Sequence, residues 1–520
     1  MMNAKLLSLP VGIQSFELLR RDSLLYVDKT ARLQELVTDV RRCFLSRPRR
    51  FGKSLTLSTL EAMFSGKTEL FKGLAAEAWV AERAERPVPV LRLDMSQRDT
   101  ADPVKFDESL SLDLFWQAED FGIELLSQGN GNRLQELLRA LYKARGPVVV
   151  LIDEYDKPIL DKIGLPDEAE AMRGVLRGFY AVLKGCDEYL RFVMLTGISK
   201  FSKTGVFSAM NNLNDISMDE LFGDIVGYTQ VELEDNFSGW IDAAAEKLQR
   251  PRSELLEGIK EYYDGFCFDG VTRLYNPFSV LNFFSDCSFS NYWYSSGSPS
   301  FIVEYMKRHG IEAPESYRHR VVSVDFAESQ EIERARPESF LYQSGYLTIE
   351  SREEQELTLD YPNREVLDSL SRMYLELVYR VEGYVSIGSN LWRALKDGEI
   401  GEAVRLYNGA LAGIPYEDFS GQSELLYRSL FLMLLRGAGV TAHGEVHTHR
   451  GRSDVLASFP DRVVVLEFKL AQSADEITRL RDEGRRQIKE KGYAKPYDGE
   501  GRTVTSAVIV VDAKKHTAGL

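Results

Sequence analysis

Asp454, Glu467 and Lys469 are the residues of this 520-residue chain whose types and spacing point most directly to chemistry. They lie in the run GRSDVLASFPDRVVVLEFKL from Gly451 to Leu470. Asp454 is expected to open a strand, Ser458-Phe459-Pro460-Asp461 to turn, and Val463–Leu466 to return and end in Glu467-Phe468-Lys469. Side chains alternate along a strand, so Glu467 and Lys469 share one face and Phe468 takes the other. Two carboxylates and an ammonium on one side of a hairpin suit a hard divalent cation and an activated water, which phosphodiester cleavage requires. The plainer alternative is an exposed hairpin ion pair, which contributes little.

A second constellation lies near the N-terminus. Arg47-Pro-Arg-Arg-Phe-Gly-Lys-Ser54 ends in the GKS of a phosphate-binding loop, after an apolar strand and before a helix. Backbone N–H groups near Gly52 and the helix N-terminus can cradle phosphates. Lys53 would reach the β- and γ-phosphates of ATP, and the Ser54 hydroxyl would hold Mg²⁺. Arg47 stands where this loop ordinarily opens with glycine, so the loop is entered differently here. The partner motif is Val148–Asp153-Glu154, an apolar run ending in two acids. Asp153 would orient the magnesium shell and Glu154 would polarise the attacking water. Thr196 and Ser199, at the end of a later strand, are candidate γ-phosphate sensors. Arg49, Arg50, Lys200 and Lys203 are candidate charge clamps.

Elements that could position these groups are legible along the chain. Up to about residue 200, short apolar strands (Cys43–Leu45, Val88–Leu93, Pro147–Ile152, Tyr189–Leu195) alternate with helical patterns (Ser54–Phe64, Leu134–Tyr142). That alternation predicts a parallel sheet covered on both faces. After about Asp215 come aromatic-rich helices, in which Tyr292-Trp293-Tyr294 reads as packing rather than a base-stacking platform. A small β element is expected around Gly345–Ile349 and Glu356–Asp360, then helices from Asn363 to Gly413 with breaks. The last hundred residues read as helix, hairpin strands, helix, strand. His443, His447 and His449, with Glu445, alternate on one strand face. A transition-metal site there is a rival reading, against solvent-facing histidines.

Composition sets the outer bounds. Hydrophobic residues make up 44% and charged residues 28%, ordinary for a globular chain with room for about three domains. No eighteen-residue apolar run and no cationic-then-apolar start occur, so no membrane association and a cytoplasmic location are expected. Cys43, Cys186, Cys267 and Cys287 follow no ligand or disulfide spacing and read as reduced, packed thiols. The net charge of −15 argues against a chain coated in nucleic acid. Gly421–Leu520, however, carries 16 Lys/Arg against 13 Asp/Glu, which leaves −18 on the remainder. A mildly basic tail is compatible with a phosphate-backbone substrate.

The stretches Leu9–Phe16, Tyr26-Val-Asp-Lys-Thr30 and Arg47–Leu55 resemble the bacterial AAA-ATPase-like family, in which RPRRFGKS is the usual form. Tyr275-Asn-Pro-Phe-Ser-Val280, Tyr292-Trp293 and Tyr342-Gln-Ser-Gly-Tyr-Leu347 resemble its middle region. Members typically end in a PD-(D/E)XK nuclease-like domain. The resemblance covers most of the chain. It implies an α/β fold: a P-loop NTPase (AAA-like) parallel sheet domain at 1–215, and a helical lid and middle region with a small β element at 216–375. A helical connection and a restriction-endonuclease-like α/β domain follow at 376–520, with its core at 420–515. It further implies that Asp454 and Glu467 bind one or two Mg²⁺ ions, that Glu424 joins the metal shell, and that Lys469 positions the attacking water. Arg452, Gln487 and Tyr493 would help place the substrate. The expected function is an ATPase whose nucleotide state controls a Mg²⁺-dependent nuclease, with DNA ahead of RNA as partner; the oligomeric state stays open, a homo-oligomer being one candidate. The alternative is a nucleotide-switched binding or signalling module whose nuclease fold is catalytically silent. A phosphotransferase ranks below both, because nothing resembles a phosphoacceptor site.

Overall fold

The computed structural model describes residues 6–200, 213–295, 300–309, 312–327, 335–415, 419, 423–448, 451–497 and 501–520. The chain divides into two compact units, Met1–His309 with His319–Glu365, and Gly310–Arg318 with Val366–Leu520. No helix among the described residues is long and apolar enough to cross a membrane.

In the first unit, five described strands, β1 (Arg42–Ser46), β2 (Val90–Asp94), β3 (Val148–Asp153), β4 (Leu190–Gly197) and β5 (Asn214–Asp215), form one sheet in the order β2-β3-β4-β1-β5. Every pairing is parallel. β3 is buried along its whole length, as expected of a strand covered on both faces. The order inserts β4 between β1 and β3, so Thr196 sits beside both the phosphate-loop strand and the Asp153 strand. Helix α1 (Lys53–Phe64) follows β1 directly, with Gly52 as its cap at φ 97°. Only glycine adopts that backbone without strain.

The aromatic-rich region forms helices α2 (Gln230–Leu248), α3 (Arg252–Tyr263) and α4 (Pro277–Asp286) around a core that includes Phe237, Tyr263, Phe283 and Phe284. Thr229 and Glu232 cap α2 reciprocally, and Asn276 caps α4. A three-stranded antiparallel sheet, β6 (Arg320–Ser323), β7 (Thr348–Glu353) and β8 (Glu356–Asp360), completes the unit in the order β6-β8-β7. β7 starts at Thr348, later than the sequence suggested. Gly345, at φ 89°, ends the helix Pro337–Ser344 instead of opening the strand.

In the second unit, helices Tyr384–Asp397 and Ile400–Ala412 lead to α5 (Glu424–Gly437). Strands β9 (His443–Thr448), β10 (Gly451–Ser458), β11 (Arg462–Ala471), β12 (Thr503–Asp512) and β13 (Thr517–Gly519) pair in order along one sheet. β11 and β12 run parallel and the other pairs antiparallel. The parallel step needs a crossover, and α6 (Ile477–Lys491) supplies it while packing on β11 and β12. Arg436 of α5 pairs with Glu315, both buried, and so ties the 310–318 segment to this unit.

Candidate nucleotide and metal sites

The phosphate loop is braced in an unusual way. Arg47 is buried, and its Nη1 donates to the carbonyls of Ser46 at 2.9 Å and Ser217 at 2.7 Å. Its guanidinium lies 4.4 Å from the centre of the Phe268 ring, a cation–π contact. Burial lowers this guanidinium to about 10. Phe51 meets Phe266 and Phe268 edge-on at 4.8 and 5.6 Å. Trp293 Nε1 donates to the Arg49 carbonyl at 3.1 Å, and a Cβ on Gly345 would come within 2.5 Å of Pro48 Cγ. The arginine that replaces the opening glycine is therefore an anchor. The Phe-rich and Gly-Tyr motifs of the middle region form its bed, a role that sequence reasoning did not assign to them.

Lys53 Nζ folds into the loop, donating to the carbonyls of Arg47 at 2.7 Å and Pro48 at 2.8 Å. Burial lowers the basicity of this ammonium, and the charges of Glu154 and Asp153 oppose the shift. Asp153 Oδ1 accepts from Thr196 Oγ1 at 2.6 Å and from the Glu154 amide at 3.1 Å. Glu154 sits at φ 47°, a backbone uncommon for a non-glycine residue, at the sharp exit from β3. Burial raises its pKa, against the pull of Lys53. A cavity of about 380 Å³ is lined by Gly52, Lys53, Ser54 and Glu154 on its polar side, with Tyr26, Tyr228 and Phe278 among its apolar residues. That size falls in the usual range for small-molecule sites. Ammonium, hydroxyl, carboxylate and open cavity together fit a nucleoside triphosphate and its magnesium.

Not every expected residue joins this cavity. Ser199 Oγ donates to Asp156 at 2.8 Å, and Asp156 also accepts from the Ile198 and Ser199 amides. Ser199 thus belongs to a buried turn. Lys200 pairs with Asp215. Arg49 and Arg50 line the cavity, while Lys203 lies outside the described residues.

In the second unit, the hairpin forms as expected, but β10 begins before Asp454, at Gly451. The backbone register runs from Ser458↔Val463 to Val455↔Leu466. One step further on, the Asp454 carboxylate takes over the pairing: its Oδ2 accepts from the Phe468 amide at 2.8 Å. Asp454 Oδ1 accepts from Arg428 Nη1 at 2.7 Å. Alternation in β11 turns Val463, Val465, Glu467 and Lys469 to one face, where Val463 and Val465 pack with Tyr493. Phe468 points the other way and meets Phe431 and Tyr407.

Lys469 Nζ lies 2.9 Å from Glu467 Oε1, and the buried Glu467 Oε2 has no hydrogen-bond partner. Burial, reinforced by the charge of Asp454, pushes the Glu467 carboxyl up to about 7. Burial alone would lower Lys469, but its bond to Glu467 and that residue's charge raise it. Glu424 is raised chiefly by burial, and both Lys469 and Asp454 act on it electrostatically. Three carboxylates around one ammonium, with one buried oxygen unpartnered, fit a hard divalent cation. Gln487 Nε2 donates to the Tyr493 hydroxyl at 3.2 Å, and Tyr493 is otherwise core. Arg452 is exposed, two residues from Asp454 on the same strand. Arg428 was missed. The available signal was its place four residues after Glu424, on the same helix face. For the rival histidine site, His443 is exposed, His449 lies outside the described residues, and the side chains of Glu445 and His447 are not described.

A family described as predicted AAA-ATPase (AAA-ATPase-like) matches residues 10–207. The PD-(D/E)XK nuclease superfamily matches residues 422–519. A relative from Azotobacter chroococcum mcd 1, described as an uncharacterized protein in the vnfD 5′ region, is 33% identical over 509 residues, covering 95% of each chain. Among solved structures, the Walker-type ATPase PABY2304 of Pyrococcus abyssi shares 13% identity at a TM-score of 0.35, covering 68% of this chain and 97% of that one.

Proposed function

Because this chain belongs to the AAA-ATPase-like family and carries a PD-(D/E)XK nuclease superfamily domain, we propose that it hydrolyses ATP and that its nucleotide state controls Mg²⁺-dependent cleavage of nucleic acid, DNA ahead of RNA. The observation that carries this reading is the meeting of Asp454, Glu467 and Lys469, with one buried Glu467 oxygen left unpartnered. At the first site, Lys53 and the amides opening α1 hold the phosphates. Ser54 and Asp153 hold the magnesium shell, with Thr196 fixing Asp153. Glu154, whose basicity burial raises, is suited to accept the proton of the attacking water.

At the second site, Glu424, Asp454 and Glu467 would hold a cation, which when bound supplies Lewis-acid charge and a more acidic water. Lys469 would orient the attacking water and offset negative charge developing on phosphorus. Gln487, Tyr493 and Arg452, with the basic α6, would hold a sugar-phosphate backbone. The test incubates the full chain with single- and double-stranded DNA and RNA, Mg²⁺, and ATP or no nucleotide. Lys469→Ala is expected to lower cleavage by roughly 10²-fold or more. If Lys469→Ala cuts as well as the parent, the nuclease reading is wrong. One observation favours a second reading: both Asp454 oxygens are already engaged within the protein. In a silent nuclease fold used for binding, ATP would change partner affinity without any strand scission.

A further inference from the structure

If the second site binds metal, as proposed above, its carboxylates and their partners bear on how many cations it takes. Each Asp454 oxygen already accepts a hydrogen bond from its own chain, Oδ1 from Arg428 and Oδ2 from the Phe468 amide. In Glu467 only Oε1 does so, from Lys469, while the buried Oε2 has no hydrogen-bond partner. A site built for two divalent ions needs a carboxylate shared between them, and Asp454 lies between Arg428 and the strand that carries Glu467. On the Arg428 side the charge is already supplied. Arg428 stands one turn after Glu424, is buried, and carries a guanidinium, which has donors and no lone pair for a metal. A guanidinium in that place neutralises Asp454 without accepting a coordinating oxygen, so it excludes an ion there.

We propose that Arg428 stands in for a second divalent cation, so that the site takes a single Mg²⁺ or Mn²⁺, held on the Glu467 side. Arg428 is thereby a positioning residue: it fixes the Asp454 carboxylate while the ion sits among Asp454, Glu467 and Glu424.

The test counts Mn²⁺ bound by the nucleotide-free full chain, by titration calorimetry and by the electron paramagnetic resonance signal of free Mn²⁺. The Asp454→Asn/Glu467→Gln double variant serves as the blank that removes ions held elsewhere. The expected difference between parent and blank is one ion. Arg428→Gln, which removes the charge, is expected to raise the count to two, whereas Arg428→Lys keeps it at one. Two ions in the parent, or one ion at unchanged affinity in a folded Arg428→Gln, overturns the proposal. If Arg428→Gln does not fold, the parent count still decides. No difference between parent and blank would instead remove the metal-binding reading itself, and this proposal with it.

Discussion

The Glu467 carboxyl is held near 7 by burial and by the Asp454 charge, well above the ordinary value of 4.5. An acid raised in the folded state favours its protonated form there. Its contribution to stability is complete below pH 4.5 and is lost as pH rises toward 7. In metal-free protein the loss is on the order of 3 kcal/mol at most. Hydrogen exchange of the β11 amides, corrected for intrinsic rates, should show weaker protection at pH 8 than at pH 5, and Glu467→Gln should flatten that slope. An unchanged slope in the variant would place the titration elsewhere. At the other site, Lys53 supplies a compact positive charge inside the loop. Lys53→Ala should lower ATP turnover by roughly 10²-fold or more, read by phosphate release, with the fold retained by circular dichroism. Both residues were legible as candidates from their motifs. The Arg428 contact was not, because an i, i+4 neighbour of Glu424 reads equally well as a surface charge.

At the scale of elements, the phosphate loop depends on the segment that lies over it. Gly345 combines a φ of 89° with a close approach to Pro48, so a methyl group there is both strained and blocked. Gly345→Ala is expected to destabilise the first unit by about 1–3 kcal/mol and to weaken ATP binding, measured with a fluorescent nucleotide analogue. If binding is unaffected, the middle region does not brace the loop. In the second unit, the buried Arg436–Glu315 pair fastens the 310–318 segment to α5. Arg436→Met strands the Glu315 carboxylate and should cost roughly 3–5 kcal/mol in urea unfolding, while Arg436→Met/Glu315→Leu should recover most of it. Strand and helix identities were legible because apolar period and caps are local properties. The β7 boundary was not, because Gly345 serves equally as a helix stop and a strand start.

For the whole molecule, the uneven charge matters more than its total. The net −15 is concentrated outside the last hundred residues, where Lys and Arg slightly outnumber the acids. Nucleic-acid affinity is therefore expected to reside in the basic tail and to fall steeply with salt. Arg485→Glu/Arg486→Glu on α6 should weaken binding about tenfold at low salt and reduce the slope of log affinity against log salt by roughly 2. A slope equal to the parent's would exclude α6 from the interface. The amino-acid order alone made three motifs legible, the phosphate loop, the apolar strand ending in two acids and the D…ExK hairpin, because each is set within one turn, one strand or one hairpin. Tertiary structure alone decided that β4 enters between β1 and β3 and brings Thr196 to Asp153. It also decided that Arg47 is a buried anchor on Phe268, and that Arg428 reaches Asp454. Those contacts join residues 26 to 221 positions apart, and long-range pairing follows from how faces bury against one another, which no local period encodes.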